Sequence, residues 1–155
     1  MVVETMLNRS RVPSGLRSVQ LVPELEDATT LQLGEDFSSE KAQPLTISEV
    51  SILLSRKRDM MRELEGPRAE EFSSVFKKFL EYVERFDRYK GLEAATNVRS
   101  LLQRYESLDP FEMACLANLC PADAEEAKTI IPSLKHKIDD SSLNQLLQDL
   151  ASFTH

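Results

Sequence analysis

The stretch Leu108–Leu134, LDPFEMACLANLCPADAEEAKTIIPSL, decides the fold. Asp109 is a favoured N-cap, and Pro110 suits the first helical position, where its missing N–H costs nothing. Glu112 lies three residues after Asp109, within reach of the cap N–H. Pro121 opens a second helix. Its first turn carries Asp123, Glu125 and Glu126, charges that suit the positive end of the helix dipole. Pro132 biases Ile131 away from the helical region and ends that helix. Two short, capped helices in succession predict a packed helical unit.

Working outward, helical periodicity continues on both sides. Downstream, a last helix starts near Asp139 or Asp140 and carries Leu143, Leu146, Leu147 and Leu150, with Phe153, Thr154 and His155 expected to fray. Upstream, Leu92, Ala95, Val98, Leu101, Leu102 and Tyr105 form one stripe, and Lys90-Gly91 breaks the chain before it, Gly91 suiting a left-handed cap. The clearest period belongs to Phe72, Val75, Phe76, Phe79, Leu80, Val83 and Phe86. Core packing of this stripe is expected, because a base-stacking platform needs exposed rings beside a basic groove. Thr46–Glu49 (TISE) has capping-box spacing. The helix that follows runs to about Glu65, where Gly66-Pro67 stops it, and bears Ile47, Val50, Leu53, Leu54, Met61 and Leu64.

Before Thr46 the pattern changes. Thr29, Leu31 and Leu33 alternate with Thr30 and Gln32, the period of a strand, and Gly34 ends the run. A single strand cannot satisfy its own backbone, so this segment is either a loop packing Leu31, Leu33 and Phe37 on helices or a strand added to another protein's sheet. Residues 1–27 lack periodicity, hold Pro13, Gly15 and Pro23, and read as a disordered tail. The predicted organisation is an all-α chain: tail 1–27, a partner-binding arm and helix 28–67, and a compact helical domain 68–155.

Composition excludes several functions. A net charge of −7 opposes a broad nucleic-acid face. Lys77, Lys78, Arg85, Arg88 and Lys90, with Arg99 and Arg104, form the one basic patch, but Glu81–Arg85 and Glu84–Arg88 have the spacing of solvated ion pairs. A recognition helix opening on Asp123, Glu125 and Glu126 would repel phosphate. Cys115 and Cys120 read as small apolar side chains, because zinc would need two further ligands and only His136 and His155 are at hand. His136, between Lys135 and Lys137, reads as part of a solvated loop. Reduced thiols suit a nuclear or cytosolic compartment. No apolar run reaches the roughly 20 residues of a membrane span. The N-terminus lacks a secretory h-region, and Glu4 and the prolines weaken a presequence reading of Arg9, Arg11 and Arg17. No catalytic constellation, phosphate loop or H-x-x-x-H spacing is present, and no cofactor is expected.

The segments Pro110-Phe111-Glu112, Leu116–Pro121 (LANLCP) and Glu126–Leu134 (EAKTIIPSL) resemble the C-terminal signature of the fourth-largest subunit of eukaryotic RNA polymerase II. Leu31–Phe37 (LQLGEDF) and Arg85–Lys90 (RFDRYK) extend the resemblance, in the same order, from about Ala28 to Leu150. It implies a nuclear, non-catalytic subunit that pairs with the seventh subunit to form the polymerase stalk, acting in initiation and in handling nascent RNA. The heterodimer would contact the polymerase core, and RNA mainly through the partner. The helical domain would have a helicase-and-RNase-D C-terminal (HRDC-like) fold. Leu31, Leu33, Phe37, Ile47, Val50 and Leu54 are the expected partner-binding residues. Two alternatives stand beside this reading: an independent RNA-binding helical module using Lys77–Lys90, and the equivalent stalk subunit of RNA polymerase III.

Overall fold

The computed structural model describes residues 27–34, 37, 42–65 and 72–154. Its regular structure is helical, in the order α1 (Ile47–Glu65), α2 (Ser74–Phe86), α3 (Gly91–Leu102), α4 (Pro110–Leu119), α5 (Ala124–Ile130), a 3-10 turn (Pro132–His136) and α6 (Asp140–Ala151). The expected all-α class is thus the observed one. The expected tail over 1–26 and the expected break at Gly66-Pro67 lie outside the described residues.

Local chemistry sets the boundaries around α4 and α5. Asp109 Oδ1 accepts from the Phe111 N–H at 2.8 Å, and Glu112 Oε2 accepts from the Asp109 N–H at 2.7 Å, closing a capping box around Pro110. Cys120 ends α4 in the left-handed region at φ 48°. Asp123 caps α5 through the Glu126 N–H at 2.9 Å, and Ile131 leaves the helix at φ −121°, ψ 81° ahead of Pro132. Asp139 caps α6 through the Ser142 N–H.

The core lies among α3–α6. Leu102, Leu116, Leu134, Leu143 and Leu146 are wholly buried, and Val98, Ala127, Leu147 and Leu150 pack with them. Each fully buried leucine is worth about 1.5–3 kcal/mol. The segment Lys135–His136, expected as a solvated loop, belongs to the 3-10 turn that buries Leu134. Phe153 does not fray but packs against the core cluster.

Two further readings change. The segment 29–33 is a turn, not a strand. The Asp27 carboxylate accepts from the Thr29 N–H at 2.8 Å and from the Thr29 hydroxyl at 2.6 Å, Leu31 takes φ 59°, and an isolated bridge joins Asp27 to Gln32. A local side-chain acceptor outcompetes extended pairing here. The α2 stripe, expected as core, buries only Val83 fully. Phe72, Phe76 and Leu80 are partly buried, while Val75, Phe79 and Phe86 are exposed. Helix α2 ends at Phe86, and Gly91, at φ 88°, opens α3 instead of capping α2.

Candidate partner-binding surface

Helix α1 packs on α2 and α3. It starts at a capping box: the Thr46 N–H donates to Glu49 Oε2 at 2.7 Å, and the Glu49 N–H donates to Thr46 Oγ1 at 3.2 Å. Arg99 of α3 adds Nε to Glu49 Oε1 at 2.8 Å, a second bond from Nη2 to Oε2, and a third from Nη2 to the Pro44 carbonyl at 3.1 Å. Burial by itself would raise the Glu49 pKa, but the Arg99 hydrogen bonds, the Thr46 N–H and the Arg99 charge outweigh it and hold the carboxyl below its ordinary range. The Ile47 N–H donates to Asn118 Oδ1 at 2.8 Å, and the Tyr89 N–H donates to Ser48 Oγ at 3.1 Å. Arg58 Nη1 reaches Glu84 Oε1 of α2 at 3.0 Å. Thr46, Ser48 and Ser51 are therefore the buried face of α1.

That arrangement distributes the six expected partner-binding residues unevenly. Ile47, Val50 and Leu54 form one stripe of α1 and are partly buried. Leu31 and Leu33 sit in and after the Asp27 turn, also partly buried, whereas Phe37 is 59% exposed. Sequence periodicity groups Leu53 with the same face, yet Leu53 points elsewhere. With Leu45, Ile52, Leu92 and Ala95 it lines a groove of about 450 Å³ between α1 and α3, beside the Glu49–Arg99 pair.

A cluster of exposed apolar side chains lies on α2. Val75 is 74% exposed, Phe79 49%, Tyr82 51% and Phe86 45%. The Tyr82 and Phe86 rings meet at 4.8 Å, and the Arg85 guanidinium lies 5.5 Å from the Phe86 ring centre. Sequence reading grouped Val75, Phe79 and Phe86 with the core and missed Tyr82. The signal available was the breadth of the apolar arc, wider than one neighbouring helix can cover.

Within the basic patch, Arg99 is committed to Glu49, and Lys90 Nζ lies 3.9 Å from Asp87. Glu84 pairs with Arg58, not with Arg88 as its spacing suggested. The cysteines are free and partly buried. The Cys120 thiol is within hydrogen-bonding distance of the Tyr89 hydroxyl at 3.2 Å and donates to the Ala117 carbonyl. Burial and then the Cys120 contact push the Tyr89 phenol pKa well up, and burial, with the Glu112 charge, raises that of Cys115. Among the described residues no three His, Cys, Asp or Glu side chains cluster as metal ligands, and no helix is long and apolar enough to cross a membrane. What the surface offers is apolar contact area with a basic edge.

The sequence model of RNA polymerase Rpb4 matches residues 44–154. The chain is similar to DNA-directed RNA polymerase II subunit 4 of Arabidopsis thaliana, 40% identical over 83% of this chain and 93% of the relative. It is also similar to the subunit rpb4 of the same enzyme from Dictyostelium discoideum, at 37% identity over 84% and 90%. The subunit rpb4 of Schizosaccharomyces pombe is 40% identical over 82% and 90%.

Proposed function

This chain belongs to the RNA polymerase Rpb4 family, and on that premise we propose that it pairs with the seventh subunit of RNA polymerase II to form the enzyme's stalk. It is a non-catalytic subunit of the nuclear transcribing enzyme. Its C-terminal helical domain, 68–155, with the HRDC-like fold that the resemblance implies, carries the arm and α1. Leu31, Leu33, Phe37, Ile47, Val50 and Leu54 contact the seventh subunit, and the heterodimer joins the polymerase core, acts in initiation and handles nascent RNA mainly through the partner.

The observation that carries this reading is the distribution of exposed apolar side chains. Among the described residues most of them lie on the arm, α1 and α2, with the aromatic Phe37, Phe79, Tyr82 and Phe86 among them, while Leu92, Leu119 and Ile130 are exposed singly on α3, α4 and α5. Exposed apolar area of this kind marks protein contact sites. The test is calorimetric titration of the purified chain with the seventh subunit, in full length and lacking residues 1–42, which keeps the Thr46 cap. Tight binding by the full chain and weakened binding by the truncated one are expected. No binding by the full chain would sink the proposal. Strong, salt-sensitive RNA binding by the chain alone would favour the independent RNA-binding module instead.

A further inference from the structure

The described residues before Thr46 are tied to the helical body by one hydrogen bond. Around Asp27 the bonds stay within the turn, and the Phe37 N–H reaches only back to the Gly34 carbonyl. The bond that crosses to a helix comes from α3, where Arg99 Nη2 donates to the Pro44 carbonyl at 3.1 Å. Pro44 has no N–H of its own to offer. Leu45, which follows it, is 44% exposed, so burial does little to hold this stretch.

The guanidinium that makes this bond is itself held in place. The Arg99 side chain is 13% exposed, with Nε on Glu49 Oε1 at 2.8 Å and Nη2 also on Glu49 Oε2. Glu49 in turn accepts from the Thr46 N–H and hydroxyl at the start of α1. A planar fork seated on a carboxylate has a fixed direction, and here the remaining hydrogen of Nη2 is aimed at the Pro44 carbonyl. One side chain of α3 thus reads the first turn of α1 and the chain that enters it together.

We infer that Arg99 is a positioning residue that clasps Pro44 to α3 and fixes the direction in which residues 42–45 lead into α1. Without it those residues swing on the Thr46 cap. A segment ordered in advance pays less for its ordering when a partner binds. Arg99 therefore strengthens the grip on the seventh subunit by acting through Pro44 and Glu49, which rests on the pairing reading above.

The experiment uses the full chain, alone and with the purified seventh subunit. Nitrogen-15 relaxation reads the order of the Gln43 and Leu45 N–H groups. Order parameters near about 0.85 are expected in the wild type, falling below about 0.6 in Arg99→Met while α4 and α6 stay rigid. Well below its unfolding midpoint, Arg99→Met is expected to raise the Kd about fivefold or more. Lys137→Met, which destabilises the chain at the Glu112 pair, is the control and should leave both measurements at wild type. Unchanged order at Gln43 and Leu45 in Arg99→Met overturns the clasp. Lost order with an unchanged Kd, or an equal rise in Kd for Lys137→Met, overturns its part in pairing. Failure of the wild-type chain to bind overturns the pairing reading, and the clasp then stands or falls by the relaxation result.

Discussion

The Lys137 ammonium lies 2.8 Å from the carboxylate of Glu112, a side chain with 0% exposure, and joins the end of the 3-10 turn to the first turn of α4. The same carboxylate accepts from the Asp109 N–H and the Ser133 hydroxyl. One buried charge therefore completes a helix cap and fixes the turn after α5. Removing its cation leaves the charge buried and uncompensated. Lys137→Met is expected to lower unfolding stability by about 3 kcal/mol. Glu112→Gln, which removes the charge but keeps the shape, is expected to cost about 1–2 kcal/mol. Urea unfolding at neutral pH measures both, and a smaller loss in the lysine variant would contradict the account.

The Glu49–Arg99 pair makes the attachment of α1 acid-sensitive. The carboxyl titrates below its ordinary value of 4.5 in the folded chain. A group depressed in this way contributes its full share of stability above the unfolded value, and that share disappears as pH falls through the folded one. Unfolding free energy from this site should hold steady from neutral pH to about 4.5 and decline below it. Arg99→Met should lower stability at neutral pH and shrink the decline on the acid side. An unchanged acid limb in that variant would count against the pair.

Gly91 stands at φ 88°, and no atom lies within 4 Å of the place a Cβ would take there. Gly91→Ala therefore meets only backbone strain, and a loss of about 1–2 kcal/mol is expected in thermal or urea unfolding. A neutral result would show that the α2–α3 link relaxes freely.

The exposed stripe and the core should separate sharply in the isolated chain. Phe79→Ser is expected to change stability by no more than about 0.5 kcal/mol. Leu146→Ala, in the wholly buried row of α6, should cost about 2–5 kcal/mol. Equal losses would mean that Phe79 is packed after all.

The cap at Asp109 was legible in the sequence because it is made within three residues of itself, whereas Asp123, read as part of the first turn of a helix opened by Pro121, is the N-cap of a helix that starts at Ala124. The leucines of α6 were legible because a single face of one helix meets one core. Helix α2 was not, because periodicity shows which side is apolar and not how much of it a neighbour covers. Phe76 and Phe79 share the sequence signal and differ in what stands opposite them. The segment 29–33, left open between a loop and a strand added to a partner's sheet, was ambiguous for a different reason. Alternation resembles a strand, while the outcome turned on one acceptor, the Asp27 carboxylate, just upstream of the alternating run. The six expected contact residues came from an arm and an amphipathic helix that precede a domain complete without them, and the structure leaves Val75, Phe79 and Phe86, read as interior, exposed as well.

Two helices in this chain take a first-turn acceptor from far away. The Ile47 N–H bonds to Asn118 of α4, and the Ala124 N–H bonds to Asn144 of α6. Each asparagine makes the start of one helix conditional on the presence of another. A fluctuation that frees the end of α4 takes the Ile47 acceptor from α1 and leaves only the Thr46–Glu49 capping box to hold its first turn. The start of α1 and the body that carries it should consequently open together, and amide exchange at Ile47 should keep pace with exchange in the α4 core rather than with the arm before it.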